Sequence, residues 1–336
     1  MTKNNECLQN CSVKIDEVIR PIDKELERFR GEFKAAMTSE VGLLNTVAGY
    51  ILKQKGKQIR PTLVLLAANI CGGINDSTYR AASLVELLHT ATLIHDDVVD
   101  TADMRRGIPS INALWKNKVA VLMGDYLLSR GLLLSLRNQD HLFLAIVSDA
   151  VRRMSEGELL QIEKTRQLDI DEATYYRIIS DKTASLIATC CELGAASVTT
   201  DEDVRRKLHQ CGEALGLAFQ IQDDILDYLG ETDELGKPVG GDIKEKKITL
   251  PLIYALSGAT EEKRQSIIAI LKSGKKRALF GREVIAFAKD AGGIEYAYAM
   301  AKVQADKAKA AIEHFPPSAS KDALIQLIGF SIDRKS

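Results

Sequence analysis

Helical periodicity dominates the sequence of this chain of 336 residues. Apolar residues recur at intervals of three and four positions, which places them on one face of an α-helix. The clearest stretches run from Ile15 to Phe33, from Val41 to Lys53, from Pro61 to Cys71 and from Ser77 to Thr101. Strand-like alternation between hairpin turns is lacking, and no proline lies between Pro109 and Pro238. The sequence therefore predicts an all-α fold.

Residues that start and stop helices separate these stretches. Pro61 and Pro109 are expected in first helical turns, where the missing N–H of proline has no helical partner to lose. Asp76-Ser77 and Thr200-Asp201 are expected as N-terminal caps. Glycines are expected where helices end, at Gly72-Gly73, Gly230, Gly240-Gly241 and Gly292-Gly293.

The length of the chain allows two domains, but no linker rich in serine, glycine or proline separates its parts. We therefore predict a single all-helical domain over residues 1–336. The expected architecture is a bundle of roughly ten or more helices around a central cavity, in which side chains from facing helices build the functional site.

Composition excludes several classes of protein. The formal net charge of -1 argues against a general binder of nucleic acid, because lysine and arginine are balanced by acids. No apolar run approaches the ~20 residues of a membrane span, and the polar start MTKNNECLQN is unlike a signal peptide. We therefore expect a cytoplasmic protein. The six cysteines are read as reduced thiols, and Cys7 and Cys11 lack further ligands for zinc.

Two aspartate motifs of the form D-D-x-x-D are the main candidates for chemistry. They consist of Asp96, Asp97 and Asp100 in LIHDDVVD, and of Asp223, Asp224 and Asp227 in FQIQDDILD. The four-residue spacing places the first and last carboxylates of each motif on one helix face, where like charges repel. A single copy would suit a solvated helix face. Two copies within apolar segments instead predict sites for Mg²⁺, which prefers oxygen ligands shared with phosphates.

Basic residues lie near both motifs in the sequence. Those near the first motif are Lys57, Arg60, Arg105 and Arg106, and those in the centre and near the second motif are Lys182, Lys237, Lys244, Lys246 and Lys247. Any one of them suits a surface charge, but together they supply the cations expected where phosphates are held. His89 lies two turns before Asp96 on the same helix face, either as a packing residue or in contact with ligand.

The chain contains, in this order, the segments GKQIRP, LLHTATLIHDDVVDTADMRRG, GDYLLS, KTASL, FQIQDDILDY and GKPVGGDIKEKKITLP. This set resembles the trans-type polyprenyl diphosphate synthases, and most closely their long-chain members. The resemblance extends from about residue 40 to 255. It implies an all-α prenyltransferase fold, Mg²⁺ as cofactor, and the head-to-tail condensation of isopentenyl diphosphate with an allylic diphosphate, farnesyl or geranyl diphosphate.

The resemblance also assigns roles to residues. Asp96 and Asp100 match metal ligands of the first motif and Asp223 the main ligand of the second, with Asp97, Asp224 and Asp227 in support. The residues that match positions holding the allylic diphosphate are Arg105, Lys182, Thr183, Gln220, Lys237 and Lys247. The residues that match the isopentenyl diphosphate pocket are Lys57, Arg60, His89 and Arg106. This chain departs from many relatives at Gln58, where they have a basic residue, and at Lys246, where they have glycine.

The chemistry implied by the resemblance explains these residue types. Breaking the allylic C–O bond leaves a carbocation and a diphosphate, on which negative charge accumulates. Mg²⁺ held by the aspartates, with Arg105, Lys182 and Lys237, would stabilise that charge as preorganised electrostatics. A pinned alkene then attacks the cation, so positioning contributes much of the rate. The released diphosphate can accept the final proton, and we assign no side-chain base.

Product length is predicted from the helix that precedes Asp96. Ala91 and Thr92 lie one turn back and Leu88 lies two turns back, whereas short-chain relatives carry a bulky aromatic residue near Ala91 or Thr92. The growing chain is expected to run back along this helix, where each turn spans about 5.4 Å, and the missing floor predicts a long product. By the resemblance to long-chain relatives, this product has roughly six to nine isoprene units and is used for a quinone side chain. The alternative is that a side chain from the segment Val119 to Leu127 closes the pocket.

Other functions compete with this one. A short-chain synthase making farnesyl or geranylgeranyl diphosphate is the first alternative, and a non-catalytic partner subunit is the second, although such subunits typically lose the motifs that are intact here. A terpene cyclase would not need the second cationic pocket, and a phosphohydrolase would normally bring histidine ligands. A homodimer is expected, with the apolar helix from Trp115 to Leu134 as its seam, although core packing explains that helix nearly as well.

Overall fold

Helices form nearly all of the regular structure in the computed structural model, which describes residues 18–54, 56, 58–105, 107–229 and 240–333. A short 3₁₀ turn, Arg20–Ile22, comes first. The helices of the first half are α1 (Asp23–Ala36), α2 (Gly42–Lys53), α3 (Ile59–Ile70), α4 (Asp76–Val99), α5 (Ile111–Arg137), α6 (His141–Gln167), α7 (Glu172–Ile179) and α8 (Ser185–Ala196). Those of the second half are α9 (Glu202–Leu229), α10 (Gly241–Lys244), α11 (Leu250–Ser257), α12 (Glu261–Lys272), α13 (Gly274–Asp290), α14 (Gly293–Ile312) and α15 (Ala319–Asp333).

Two features interrupt the helical pattern. A π-helical segment, Ser180–Ala184, joins α7 to α8 without a loop. Strands β1 (Met104–Arg105) and β2 (Ile108–Pro109) form an antiparallel hairpin just after the first aspartate motif. The predicted all-α class and the helix count are therefore confirmed, with this hairpin as the single sheet within the described residues.

Helices α3 and α8 form the centre of the bundle. Every residue of α8 except Glu192 and Ala196 is buried, as are most residues of α3, because both sequences are apolar on all sides. Each leucine or isoleucine buried there contributes about 1.5–3 kcal/mol to stability. Helix α9 approaches α8 closely at Gly212, where an added Cβ would lie 2.7 Å from the Cα of Ala188. Glycine at this position therefore sets how near the second aspartate motif lies to the centre.

Helices α4 and α5 lie side by side along the first motif. His95 of α4 packs on Gly124 of α5, and three turns earlier Leu84 packs on Gly131. Helix α5 also has a non-helical residue, Lys116, with φ of 71°, which kinks its first turns. These contacts show that α5 forms the neighbouring wall for the residues that precede Asp96.

Helix α5 is long and apolar enough to cross a membrane by length and composition, which the sequence analysis did not anticipate. An 18-residue window of the helix has a mean hydropathy of 1.5, and 33% of that window is buried. Within the described residues it is the one such helix, and this is weak evidence for a span because helices of soluble proteins pass the same test. Its buried side packs on α4, and its other side exposes leucines.

Candidate active site

The first aspartate motif lies at the C-terminal end of α4. Asp96 and Asp97 occupy the last turn, and Asp100 is the residue that ends the helix. Carboxylates are unfavourable at this end, because the helix dipole places partial negative charge there, at a cost of about 0.3–1 kcal/mol each. Asp96 and Asp100 are exposed, whereas Asp97 is 4% exposed. The motif therefore presents two accessible carboxylates and one enclosed carboxylate, all of which require cations.

Asp97 obtains its cation from Arg105. The guanidinium Nε and Nη2 of Arg105 both lie 2.7 Å from Asp97 Oδ1. The hairpin positions the arginine, since Arg105 pairs with Ile108 across β1 and β2, and the backbone N–H of Ala102 donates to the carbonyl oxygen of Asp97. The predicted metal ligand Asp97 is thus engaged in holding a predicted phosphate-binding arginine. Arg106, assigned to the other substrate, lies outside the described residues.

Asp96 faces charges from several elements. Desolvation by the surrounding protein raises the pKa of its carboxyl group, and the negative charges of Glu158 and Asp100 raise this pKa further. The positive charges of Lys182 and Arg105 act in the opposite direction. Glu158 belongs to α6 and Lys182 to the π-helical segment, so the end of α4 confronts both of these elements. Additional positive charge here would relieve the crowding of carboxylates.

The π-helical segment carries Lys182 and Thr183 into the site. Its extra residue per turn is a feature found frequently at functional sites in helices. The Lys182 ammonium donates to Gln161 Oε1 at 2.6 Å and pairs with Glu158 Oε2 at 2.5 Å. The Thr183 hydroxyl donates to Gln220 Oε1 at 3.0 Å. The segment thus links α6, which carries Glu158, to α9, which carries the second motif.

Asp224 of the second motif is enclosed, as Asp97 is in the first. It is 5% exposed and accepts hydrogen bonds from the Tyr175 hydroxyl at 2.7 Å and from Gln220 Nε2 at 2.8 Å. Burial raises the pKa of Asp224 to about 8, with a further contribution from the charge of Asp242, although both hydrogen bonds oppose this rise. Asp223, one residue earlier, is only half-buried. The second motif therefore also combines an enclosed carboxylate with a more accessible one.

Asp227 anchors the short helix α10 to the end of α9. Its two carboxylate oxygens accept the backbone N–H groups of Gly241 and Asp242, each at 3.0 Å. These N–H groups are helix N-terminal donors without helical partners, which an anion satisfies well. Asp242 itself is brought beside the motif, where burial and the neighbouring charge of Asp227 raise its pKa to about 6.

A cavity of about 180 Å³ opens between these elements. The polar side chains on its wall include Gln161, Lys182, Thr183, Gln220, Asp224, Asp242 and Lys247. The charge of Glu158 acts both on Asp96 and on Lys247. Lys182, whose charge acts on Asp96 of the first motif, and Asp224 of the second motif therefore both line this cavity. The two motifs are more than a hundred residues apart in sequence. The predicted allylic ligands Lys182, Thr183, Gln220 and Lys247 come together there, while Lys237 lies outside the described residues.

The predicted isopentenyl diphosphate pocket is described in part. Arg60 lies in the first turn of α3, and its charge acts on the buried thiol of Cys190 in α8. The charge of Glu86 acts on the same thiol, and Glu86 lies one turn before the half-buried His89 on α4. The two described members of the predicted pocket, Arg60 and His89, therefore lie on α3 and α4, which pack against each other. Lys57 lies outside the described residues.

The donor atoms suit a hard divalent cation that binds together with its substrate. Among the described residues, no three side chains of His, Cys, Asp or Glu converge closely enough to enclose a metal ion. The accessible carboxylates Asp96 and Asp100 instead lie at the C-terminal end of α4, and Asp223 lies on α9. Mg²⁺ commonly binds one or two carboxylates, water and substrate phosphates in such sites. The residues present therefore fit Mg²⁺ shared with a diphosphate better than a closed structural site.

The three predicted chain-length residues lie where α4 meets its neighbours. Ala91 and Leu88 are each 2% exposed, and Thr92 is half-buried with its hydroxyl donating to the carbonyl oxygen of His89. Met123 and Leu127 of α5 are fully buried beside this stretch and belong to the segment considered as an alternative floor. Product length is therefore expected to depend on the contact between α4 and α5, whether the floor is missing at Ala91 and Thr92 or is formed by a side chain of α5.

Several site residues were missed by the sequence analysis: Glu158, Gln161, Tyr175 and Asp242. Asp242 had a visible signal, because it lies in the segment GGDIKEKK, which follows the second motif in the sequence. Glu158, Gln161 and Tyr175 had none, because each resembles an ordinary helix residue until the bundle is assembled. The departure at Lys246 has a structural meaning, since its φ of 63° is the left-handed conformation that favours glycine.

Comparisons with known proteins show the family of this chain. The sequence model of the family described as polyprenyl synthetase matches residues 41–285. The octaprenyl diphosphate synthase of Haemophilus influenzae is 37% identical over 95% of this chain and 97% of its own length. Component 2 of the heptaprenyl diphosphate synthase of Geobacillus stearothermophilus is 36% identical over 93% and 94%. The crystal structure of a polyprenyl synthase from Caulobacter crescentus, complexed with calcium and isoprenyl diphosphate, covers 98% of this chain and 100% of its own, with 34% identity and a TM-score of 0.85.

Proposed function

Because this chain belongs to the polyprenyl synthetase family, we propose that its two aspartate motifs bind Mg²⁺ and an allylic diphosphate across the cavity. The chain is a long-chain polyprenyl diphosphate synthase, a prenyltransferase. It adds isopentenyl diphosphate units to an allylic primer such as farnesyl or geranyl diphosphate. The observation that carries the proposal is a cavity lined by Lys182, Asp224, Asp242 and Lys247. Lys182 also acts electrostatically on Asp96 at the end of α4, which connects the first motif to this cavity.

The acidic and the basic residues of the site would have different roles. Asp96, Asp100 and Asp223 would hold Mg²⁺, which supplies positive charge to the leaving diphosphate when bound. Arg105 and Lys182 would contact the same diphosphate, and their positions are fixed before substrate arrives by Asp97 and by Glu158 with Gln161. Donors held in place before the reaction need no reorganisation as negative charge develops. Arg105 would therefore bind the anion without losing its contact to Asp97.

The second substrate would be held by Lys57, Arg60, His89 and Arg106. Positioning its alkene against the allylic carbon makes the reaction effectively unimolecular, and this contributes much of the rate. The apolar helices α3, α4 and α8 around the site would exclude water from the carbocation. The released diphosphate takes the final proton, so the proposal assigns no side chain as general base.

The experiment that tests the proposal uses the purified chain with Mg²⁺, farnesyl diphosphate and labelled isopentenyl diphosphate. Incorporation of label into a chain longer than the primer supports a synthase. Release of free hydrocarbon, or of inorganic phosphate alone, contradicts it and indicates a cyclase or a hydrolase. One relative is named as component 2 of a heptaprenyl diphosphate synthase, that is, as part of a two-component enzyme. The reaction is therefore also run with the purified chain alone, without any second protein. Activity of this chain alone is expected.

A larger residue at position 91 is expected to shorten the product. Ala91 lies one turn before Asp96, so a phenylalanine there would form a floor beneath the growing chain. Ala91→Val and Ala91→Phe should give progressively shorter products, identified by chromatography after dephosphorylation. If α5 forms the floor instead, Met123→Ala should lengthen the product while Ala91→Phe leaves it unchanged, which would contradict the assignment to Ala91.

We propose that the active form is a homodimer in the cytoplasm. The support is a row of apolar side chains exposed along α5, with fractional exposures from 39% to 56%: Val121, Leu122, Leu132, Leu133 and Leu136. Such a surface is unusual on a monomer, and a stable dimer buries about 800 Å² per partner. The four cysteines in the described residues are free thiols, as in a reducing compartment.

The double variant Leu133→Glu with Leu136→Glu is expected to be monomeric. Two carboxylates in the seam would be desolvated without partners, which opposes association strongly. Light scattering after gel filtration should give twice the chain mass of 36.9 kDa for the native protein and a single chain mass for the variant. Leu279→Glu is the matched control, because Leu279 is 75% exposed on α13 and away from this surface. A dimer that survives both seam substitutions would exclude α5 as the interface.

A further inference from the structure

A second network of charges lies directly behind the π-helical segment, outside the cavity wall. Its centre is Arg153 of α6, whose side chain is only 18% exposed. Arg153 Nε donates to Asp181 Oδ1 at 2.8 Å, and its Nη2 donates to Ser180 Oγ at 2.8 Å and to Glu213 Oε1 at 2.9 Å. The Ser180 hydroxyl donates in turn to Glu213 Oε1 at 2.8 Å. One guanidinium therefore joins three elements: α6, the π-helical segment and α9.

The network holds the residues that immediately precede Lys182 and Thr183. Ser180 and Asp181 are the first two residues of the π-helical segment, and Lys182 and Thr183 follow them. The Asp181 carbonyl oxygen also accepts the Ser185 hydroxyl at 2.6 Å, which closes the segment from within. Because all contacts of Arg153 lie on the two preceding residues or on α9, the arginine fixes the backbone without occupying the substrate cavity.

A close backbone approach on the same helix reinforces this arrangement. Gly157 lies one turn after Arg153, and an added Cβ there would be 2.7 Å from the backbone nitrogen of Lys182. Glu158 and Gln161, which hold the Lys182 ammonium, continue along the same helix. Helix α6 thus grips the π-helical segment at Arg153, at Gly157, and at Glu158 with Gln161.

We propose that Arg153 is a positioning residue for the allylic diphosphate, acting through Asp181 and Ser180 on the placement of Lys182 and Thr183. This inference rests on the proposed function, because it assigns Lys182 and Thr183 to that substrate. Arg153 itself touches no reacting atom. Its removal leaves the partly buried carboxylates of Asp181 and Glu213 without their shared cation. Because a partly buried charge that loses its partner is destabilising, the π-helical segment is expected to shift. A displacement of about 1 Å at a substrate-holding group can cost about a hundredfold in rate.

The test compares Arg153→Met with the matched control Arg152→Met. Arg152 is the neighbouring residue on α6 and is 56% exposed, and its ion pairs within the described part of the chain are with Asp149 and Glu156 on its own helix. Arg153→Met is expected to raise the KM for farnesyl diphosphate about tenfold and to leave the KM for isopentenyl diphosphate within about twofold. Arg152→Met should leave both values unchanged. Arg153→Lys keeps the charge but cannot bridge all three acceptors, so an intermediate KM is expected.

A role in folding alone would give a different result. It would reduce the folded fraction, measured by circular dichroism, and would lower kcat only in proportion to that fraction, with the KM for farnesyl diphosphate unchanged; this outcome overturns the inference. Should Arg153→Met not fold, the same two KM values are measured for Arg153→Lys and Asp181→Ala. A KM that rises for farnesyl diphosphate and not for isopentenyl diphosphate supports the inference, and two unchanged KM values overturn it. The double variant Arg153→Met with Asp181→Ala should be no worse than the worse single variant, because both break one network. A native protein that elongates no primer would refute the proposed function instead.

Discussion

Asp96→Asn is expected to lower kcat by about a thousandfold, with Mg²⁺ present at a concentration that saturates the native enzyme. Asparagine keeps the size of the side chain and one oxygen but removes the negative charge. Asp96 is accessible at the end of α4 and lies among Glu158, Asp100, Lys182 and Arg105, so its loss removes a ligand rather than a packing contact. The measurement is single-turnover elongation of farnesyl diphosphate, together with titration by Mg²⁺.

Asp76→Asn is the matched control for this substitution. Asp76 lies in the first turn of the same helix, its side chain is 78% exposed, and it pairs with Arg28. Loss of such an exposed pair changes stability by about 0–1 kcal/mol and should leave kcat unaltered. Asp223→Asn should reproduce the loss of kcat seen with Asp96→Asn, because both carboxylates are proposed to bind the Mg²⁺ ions that contact the same diphosphate. An Asp96→Asn enzyme within about threefold of the native rate would exclude Asp96 as a metal ligand.

The sequence predicted the carboxylates better than it predicted what holds them. Charge spacing and apolar flanks were enough to place both motifs on helices. They could not show that Asp97 and Asp224 are enclosed while Asp96 is exposed, because all three are aspartates within the same D-D-x-x-D pattern. That distinction depends on partners far along the chain, namely Arg105 in a hairpin for Asp97 and Tyr175 on α7 for Asp224.

Helix boundaries show the same division between local and distant causes. Pro61 lies in the first turn of α3 and Asp201 caps α9 as predicted, since both effects depend on the nearest residues. The cap of α4 was predicted at Asp76-Ser77 but is Asn75, which exchanges hydrogen bonds with Thr78 in a capping box. Pro109 was predicted in a helix but lies in β2, before the Ser110 cap of α5. Asp97 holds Arg105 of this hairpin, and the backbone N–H of Ser110 donates to the carbonyl oxygen of Asp103, contacts that the sequence pattern does not reveal.

The π-helical segment is the part of the site least accessible from sequence. KTASL has the composition of an ordinary helix, and nothing in it indicates the extra residue of a π-helical turn. The extra residue in this turn is stabilised by Arg153, Gly157 and Glu213, which come from two other helices. Such insertions are disfavoured on their own and persist where the surroundings fix them. Their position therefore follows from packing rather than from propensity.

Lys182→Met is expected to lower kcat/KM for farnesyl diphosphate about a hundredfold. The Lys182 ammonium faces both the cavity and Asp96, so it is placed to stabilise charge that accumulates on the leaving diphosphate. Methionine preserves the length and apolar stem of the side chain while removing the charge and the donors to Glu158 and Gln161. Rates at saturating isopentenyl diphosphate, measured over a range of primer concentrations, give the value directly.

Lys207→Met provides the matched control for that experiment. Lys207 lies on α9 with a side-chain exposure of 32%, close to the 37% of Lys182, and pairs with Asp203 one turn earlier. Its replacement removes the same charge from the protein and should leave kcat/KM unchanged. The position of the charge, rather than its amount, is then what the comparison measures. Equal losses from both substitutions would mean that Lys182 acts through the general field of the protein, and its assignment to the diphosphate would fail.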